Sequence, residues 1–200
     1  MWDRGRQISL NDLAGRYLNA RCGLVEFPPT LRFSRNERCG PGRFLPAMIA
    51  KVSPSDLALH DGERAALHRT FLDPNGGKAK IEAPRKMFGS MPSGAAVRLM
   101  DFDDTLGIAE GIETALSASA LFGVPCWAAL TAGLLEDWTP PSEVKRVFVF
   151  GDNDHSFTGQ ASAFRLAQKL KSKGFDVIVE LSPLFGTDWN DEHRRELEVA

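Results

Sequence analysis

Three carboxylates in the second half of the chain stand where apolar, strand-like segments end. Glu110 follows the segment 106–109, and Asp152 and Asp154 follow the segment 144–150. Because side chains two residues apart in an extended chain point the same way, Asp152 and Asp154 should face one crevice. Carboxylates that converge repel one another unless a cation neutralises them, and carboxylate oxygens suit Mg²⁺ or Mn²⁺ rather than zinc. This spacing predicts a divalent metal site.

A further acidic segment follows the strand-like segment 175–181 and reads Gly186-Thr187-Asp188-Trp189-Asn190-Asp191. In open sheets that alternate with helices, ligands bind outside the carboxyl ends of the strands. We therefore expect Asp188 to lie at the same edge as the other three carboxylates and to contribute to the metal site. A plain helix cap is the alternative role for Asp188. Two-metal chemistry on phosphates needs this density of carboxylates.

The elements that must position these carboxylates alternate along the second half of the chain. Strand-like segments are expected at 106–109, 124–130, 144–150 and 175–181, and helices at 112–122 and 160–173. Strands that alternate with helices imply a parallel sheet covered on both faces. Residues 101–200 should therefore form an α/β lobe with a parallel sheet of about four strands flanked by helices.

The first half of the chain has a different pattern of predicted elements. An amphipathic helix is expected at 8–20, with Ser9 or Asn11 as its cap. Short strand-like segments follow at 46–52, 65–72 and 95–99, separated by turn sequences. Residues 1–100 should therefore form a smaller, mostly antiparallel α+β lobe that precedes the α/β lobe.

Charge is divided unevenly between the two halves, although the net charge of the chain is only −2. Residues 1–100 contain 16 Lys and Arg against 9 Asp and Glu, and residues 101–200 contain 8 against 17. A basic half can hold a polyanion and an acidic half can hold metal ions, whereas two ordinary solvated surfaces are the alternative.

The motifs together resemble the Toprim domain of DNA primases from phages, plasmids and integrative elements. Glu110-Gly111 before a helix is similar to the first Toprim motif, and Gly151-Asp152-Asn153-Asp154 is similar to the second. The segment 186–191 is similar to the closing motif of these primases. Upstream segments also resemble the lead-in of the family, so the resemblance covers nearly the whole chain; they are Trp2, 14–18, 31–33, 44–48, 68–72 and 86–87.

The resemblance implies a Toprim lobe joined to a basic lobe that supports the template. It implies Mg²⁺-dependent nucleotidyl transfer, in which short RNA primers are made from nucleoside triphosphates on single-stranded DNA. Asp152 and Asp154 would hold Mg²⁺, and Glu110 would act as a further ligand or as a general base. The residues expected to bind nucleic acid or nucleotide surround the family-like segments; they are Arg69, Lys78, Lys80, Arg85, Lys86 and Arg98.

The sequence departs from the larger primases in two ways. Thr114 stands where bacterial replicative primases often carry Asp, so one ligand is missing or Glu113 supplies it. The chain also lacks a zinc-ligand spacing and a phosphate-binding loop of an ATP motor, so a separate helicase or zinc-binding module is an expected partner. We expect a cytoplasmic protein of a mobile genetic element, with no membrane span and with cysteines as ordinary thiols.

Three other functions are compatible with the sequence. Toprim carboxylates also serve metal-dependent nucleases, and the chain could be a non-catalytic nucleic-acid-binding fragment. Asp101-Phe102-Asp103-Asp104 resembles the nucleophile motif of haloacid-dehalogenase-type phosphatases, with Asp101 as nucleophile and Asp103 as acid and base. Only about fifty residues separate this motif from Asp152, which leaves little room for the intervening strands of that family. We prefer to interpret 101–104 as an acidic turn between the lobes.

Overall fold

The computed structural model describes residues 1–54, 66–91 and 94–199 of the chain. These residues divide into two compact units. The first unit comprises residues 1–52 and 66–91, and the second comprises residues 53–54 and 94–199.

The first unit is an antiparallel sheet with one helix. Its helix is α1 (Leu13–Cys22), and its strands are β1 (Arg6–Gln7), β2 (Leu31–Gly40), β3 (Arg43–Pro54), β4 (Ala66–Phe71) and β5 (Arg85–Phe88). The strands follow one another in the sheet in the order β1-β2-β3-β4-β5, and each neighbouring pair is antiparallel. This arrangement confirms the predicted antiparallel character of the first half.

Helix α1 begins later than the apolar pattern predicts. Its cap is Asp12 rather than Ser9 or Asn11, because the Asp12 carboxylate accepts hydrogen bonds from the amide N–H groups of both Gly15 and Ser9. A Cβ on Gly15 would lie 1.9 Å from the Ser9 carbonyl oxygen, so the chain before the helix folds back onto its first turn. Ile8 lies in this non-helical segment before α1, and its side chain is buried. Its burial explains why it fits the apolar pattern.

The second unit is built on a parallel sheet of four strands. Its elements are β6 (Ala95–Ala96), β7 (Thr105–Ala109), α2 (Ile112–Phe122), β8 (Cys126–Ala128), α3 (Ala132–Asp137), β9 (Arg146–Gly151), α4 (Thr158–Ser172), β10 (Asp176–Leu181) and α5 (Trp189–Val199). The strand order is β10-β9-β7-β8, with every pair parallel. The short β6 lies apart from this sheet and pairs with Ser53 and Pro54 at the end of β3.

Helices cover both faces of the parallel sheet. Phe150 of β9 contacts the rings of Phe122 and Trp189, which belong to α2 and α5. Val149 points to the other face, where it joins a buried cluster with residues of α3 and α4 such as Leu135 and Leu166. Alternate residues of one strand thus serve two helical layers. The predicted α/β class, with about four parallel strands flanked by helices, is confirmed.

Within the described ranges, every helix is too short or too polar to span a lipid bilayer.

Candidate active site

The first two acidic motifs leave neighbouring strands at the same edge of the parallel sheet. Strands β7 and β9 are paired in parallel, with Ala109 opposite Phe150. Glu110 follows Ala109 directly, and Asp152 comes two residues after Phe150. Both carboxylates therefore stand at the carboxyl edge, where open α/β sheets bind their ligands.

The main chain around Glu110 is fixed by the end of the adjacent strand. The carbonyl oxygen of Glu110 accepts a hydrogen bond of 2.7 Å from the amide of Leu130, just beyond β8. Gly111 caps α2, and a Cβ there would lie 3.1 Å from Thr114 Oγ1 and 3.8 Å from Glu113 Oε2. Glu113, the possible substitute for the missing ligand at position 114, is only 4% exposed. It is therefore buried in the first turn of the helix, close in sequence to Glu110.

Asp154 is held by donors from the start of α4. Its Oδ1 accepts from the amide and the hydroxyl of Ser156, at 2.8 and 2.5 Å, and its Oδ2 accepts from the amide of Gly159 at 2.7 Å. The Ser156 hydroxyl and these amides lower the pKa of Asp154 below its ordinary value, although partial burial opposes them. The carboxylate is therefore kept ionised.

Two glycines allow this loop to lie close to its neighbours. A Cβ on Gly159 would be 2.6 Å from the carbonyl oxygen of Asp152 and 2.8 Å from Asp154 Oδ2. A Cβ on Gly151 would be 2.6 Å from Leu181 Cδ2. The Asp152 carbonyl belongs to the main chain and cannot move away cheaply, so the loop requires glycine at position 159.

Asn153, between the two aspartates, joins this loop to the one that follows β10. Its main chain donates to the Thr187 carbonyl at 3.0 Å and accepts from the Gly186 amide at 2.7 Å. Its side chain donates to the Ser182 carbonyl at 2.9 Å and accepts from Gln160 Nε2 at 2.8 Å. The second and third acidic motifs are therefore parts of one hydrogen-bonded structure.

Asp188 lies in that third motif and caps α5. Its Oδ1 accepts from the Asp191 amide at 2.8 Å, and Asp191 Oδ2 accepts from the Asp188 amide at 3.3 Å. This reciprocal pair is a capping box. Asp188 therefore caps a helix, which was the alternative role considered from the sequence. A role for Asp188 in metal binding stays a prediction.

Comparison with known families divides the chain close to its middle. Residues 105–198 match the profile of the Toprim domain, and residues 1–99 match a domain of unknown function (DUF7146). Residues 105–198 form a Toprim domain. The predicted resemblance is therefore confirmed. No protein with a curated description matches the sequence.

Several solved structures similar to this chain are primases. The primase fragment of the bacteriophage T7 primase-helicase protein is 16% identical, with a TM-score of 0.55 over 98% of this chain and 73% of that one. A DnaG primase catalytic domain bound to single-stranded DNA is 13% identical, with a TM-score of 0.56 over 94% and 72%. The zinc-binding and RNA polymerase domains of the Aquifex aeolicus primase are 13% identical, with a TM-score of 0.52 over 96% and 56%. At such identities the likeness concerns the fold, which is primase-like.

The Toprim carboxylates offer the ligands that Mg²⁺ prefers, without forming a preassembled cage. Among residues 1–54, 66–91 and 94–199, no three His, Cys, Asp or Glu side chains lie close enough together to hold a metal ion. Mg²⁺ keeps several waters and is usually held by one or two carboxylates together with substrate phosphates. Oxygen ligands at one sheet edge therefore fit Mg²⁺, whereas a tightly held structural zinc would need a closed site.

The phosphatase alternative requires Asp101 beside Asp152, and the Toprim sheet separates the two motifs. The segment 101–104 precedes β7, and the Asp104 carbonyl accepts from the amides of Lys145 and Arg146 at the start of β9. The acidic turn is thus at the amino edge, roughly one strand length of 15 Å from the carboxyl edge.

The six basic residues predicted to bind nucleic acid are in varied surroundings. Arg69 is buried and donates to the Arg38 carbonyl, Lys86 donates to the Cys39 carbonyl at 2.6 Å, and Arg98 donates to the Pro54 carbonyl at 2.7 Å. Lys80 and Arg85 are exposed, and Lys78 is partly buried. Arg98 belongs to the second unit and the other five to the first.

Proposed function

We propose that this protein is a primase that joins nucleotides into short RNA primers on a single-stranded DNA template. The observation that carries the proposal is the pair of acidic motifs at the carboxyl edge of neighbouring strands in a Toprim domain. The primase-like fold supports the same reaction class.

The residues proposed to act are Glu110, Asp152 and Asp154, with Asp188 as a further ligand. Asp152 and Asp154 would hold Mg²⁺ or Mn²⁺, and a bound ion supplies charge neutralisation on the phosphates of the incoming nucleoside triphosphate. The Ser156 hydroxyl and the Gly159 amide hold the Asp154 carboxylate in a fixed position, and lowering of its pKa favours the charged form that a cation would bind. Glu110 would complete the ligand set or accept the proton of the attacking hydroxyl.

The proposal extends to partners and setting. The basic residues Arg69, Lys78, Lys80, Arg85, Lys86 and Arg98 are proposed to contact template or nucleotide. A separate helicase or zinc-binding module would supply the steps for which this sequence has no motif. The reaction would serve DNA replication of a mobile genetic element in the cytoplasm. Residues 1–100 and 101–200 are proposed as the basic lobe and the Toprim lobe.

A gel assay with the full chain separates synthesis from cleavage. The chain is incubated with single-stranded DNA, labelled nucleoside triphosphates and Mn²⁺, and both template and products are resolved. We expect new labelled oligonucleotides of short length on an intact template. Shortened template without new oligonucleotides would instead identify a Toprim nuclease, and an unchanged template without products would favour a binding fragment.

A matched pair of variants locates the reaction on the sheet. Asp152→Asn removes one charge at the carboxyl edge with little change in shape, and it should abolish synthesis. Asp103→Asn makes the same change at the exposed amino-edge turn and should leave synthesis at the wild-type rate. Equal activity of both variants would contradict the proposed site.

A further inference from the structure

An exposed aromatic cluster stands beside the second Toprim motif. The side chains of Phe157 and Phe185 are 61% and 54% exposed. Their ring centres are 5.7 Å apart, and the His155 ring meets the Phe185 ring edge-on at 4.5 Å. We call these three residues, His155, Phe157 and Phe185, the aromatic platform. Neighbouring rings left at the surface add little to the core, and contiguous apolar surface of this kind is typical of ligand sites.

The backbone of Phe157 is held in a conformation that its side chain disfavours. Phe157 precedes α4 with a φ of +60°, in the left-handed region. Its amide donates to the Asp154 carbonyl at 3.2 Å, and its carbonyl accepts from the Ala161 amide at 3.0 Å. A bulky residue rarely adopts this conformation, and such strain clusters at functional sites. The turn thus keeps a large ring exposed at a cost to stability.

The platform bridges the two loops that carry the second and third acidic motifs. His155 follows Asp154 directly, and Phe185 precedes Gly186 of the third motif. A Cβ on Gly186 would lie 2.8 Å from His155 Nε2, so the imidazole lies directly against this glycine. The Gly186 amide in turn donates to the Asn153 carbonyl at 2.7 Å. The rings are therefore attached to the same hydrogen-bonded loops as the proposed metal ligands.

A nucleotide has the two ends that this arrangement suits. Its phosphates bind a divalent ion held by carboxylates, and its base is a flat ring that stacks on aromatic side chains. Free phosphate would use the ion without the rings, and an apolar peptide would use the rings without the ion.

We propose that the aromatic platform binds the base of the nucleoside triphosphate whose phosphates are held through Asp152 and Asp154. Phe157 and Phe185 provide the stacking surface, and His155 supports Phe185 at its edge. Every base has a π face, so the platform should accept all four bases. This inference rests on the metal site of the proposed function and adds the residues that hold the base.

Two ligands of the full chain, measured with Mn²⁺ and without template, test the base and the phosphates separately. One is 2-aminopurine riboside triphosphate, whose fluorescence is quenched when the base stacks. The other is tripolyphosphate, which has the phosphates without the base and is followed by titration calorimetry. The wild type should quench the nucleotide and bind it about tenfold more tightly than tripolyphosphate. Asp152→Asn should weaken the binding of both ligands.

Phe157→Asn separates the ring from the strained backbone. Because Asn adopts the left-handed conformation more readily, this variant should unfold at a urea concentration equal to or higher than that of the wild type. It should nevertheless bind the nucleotide about tenfold more weakly, with less quenching, and should keep the wild-type affinity for tripolyphosphate. Phe157→Tyr should keep both affinities.

Phe164→Ala is the matched control. Phe164 is 54% exposed on α4, about two turns beyond Phe157, and its loss should leave the affinity for both ligands unchanged.

Two results would overturn the platform. One is wild-type nucleotide affinity in both Phe157→Asn and Phe185→Ala. The other is an equal loss of tripolyphosphate affinity in these variants, which would mean that the loop had changed rather than a contact with the base.

Failure of the proposed function is distinguishable from failure of the platform. A chain that binds the nucleotide through these rings yet makes no primers retains this site and loses only the primase role. Primer synthesis with an unchanged KM for nucleotide in Phe157→Asn would retain the primase role and remove the platform.

Discussion

Gly159 is the residue through which the start of α4 touches both aspartates of the second Toprim motif. Gly159→Ala would push a methyl group into the Asp152 carbonyl and the Asp154 carboxylate. We expect a loss of about 1–3 kcal/mol in the free energy of unfolding, together with lower activity, because main-chain atoms cannot repack around the methyl group. Gly133→Ala is the matched control, since a Cβ there meets nothing within 4 Å and the position is helical. Urea unfolding should find this control within about 1 kcal/mol of the wild type or more stable.

Asp188 serves as a helix cap, and a pair of substitutions can separate this role from metal binding. Asp188→Asn keeps a good capping side chain, so the free energy of unfolding should change by less than about 0.5 kcal/mol. Asp188→Ala removes the cap and should cost about 1 kcal/mol. If Asp188 is also a ligand, both variants should bind Mn²⁺ more weakly, which titration calorimetry with a nucleoside triphosphate would measure. Wild-type Mn²⁺ affinity in Asp188→Asn would restrict Asp188 to capping.

At the scale of elements, α5 is tied to α2 by a buried polar cluster. Asn190 Nδ2 donates to Ser117 Oγ at 2.8 Å, and His193 Nδ1 lies 3.3 Å from the same oxygen. The third acidic motif leads directly into α5, so this cluster also supports the position of Asp188.

Burial of His193 makes this helix contact sensitive to acid. Burial lowers the pKa of His193, and the charge of Glu196 opposes that shift only in part. Since the folded pKa is below the unfolded value of about 6.5, the unfolded chain binds the proton first, and stability falls as pH drops below about 6.5. The free energy of unfolding should therefore decrease between pH 7.5 and 5.5. In His193→Gln this decrease should be smaller, and an unchanged pH profile would contradict the assignment.

Elements with regular apolar patterns were predictable, and those with interrupted patterns were not. The helix expected at 112–122 is α2 with the same bounds, and the strand expected at 144–150 is β9, shifted slightly. Strand β2 was missed because its bulge breaks the alternation of apolar and polar residues at 35–36. Helix α3 was missed because its six residues make fewer than two helical turns, too few to show a repeated apolar spacing. The Thr131 side chain nevertheless caps it by accepting from the Leu134 amide.

For the whole molecule, the sequence predicted the acidic edge more fully than the basic surface. Carboxylates that directly follow apolar strands are placed by the topology of a parallel sheet, so Glu110 and Asp152 could be assigned to one edge in advance. Sheet topology does not fix the positions of basic residues in this way. Arg69 and Lys86 donate to main-chain carbonyls, while exposed Arg4 lies near the start of the chain and exposed Arg35 lies on a bulge that no periodicity predicts. The first half has 16 basic and 9 acidic residues, and this excess indicated that a basic surface exists. It did not indicate which residues form that surface.

We propose that the carboxyl edge of the Toprim sheet holds a divalent ion together with a nucleotide. Electron paramagnetic resonance measures Mn²⁺ binding directly, because the signal of free Mn²⁺ is lost when the ion binds to the protein. With the wild-type chain, weak binding should tighten when a non-hydrolysable nucleoside triphosphate is added, since phosphate oxygens complete the coordination. Asp152→Asn should remove this tightening and Asp103→Asn should retain it. Nucleotide-dependent Mn²⁺ binding that persists in Asp152→Asn would contradict the account.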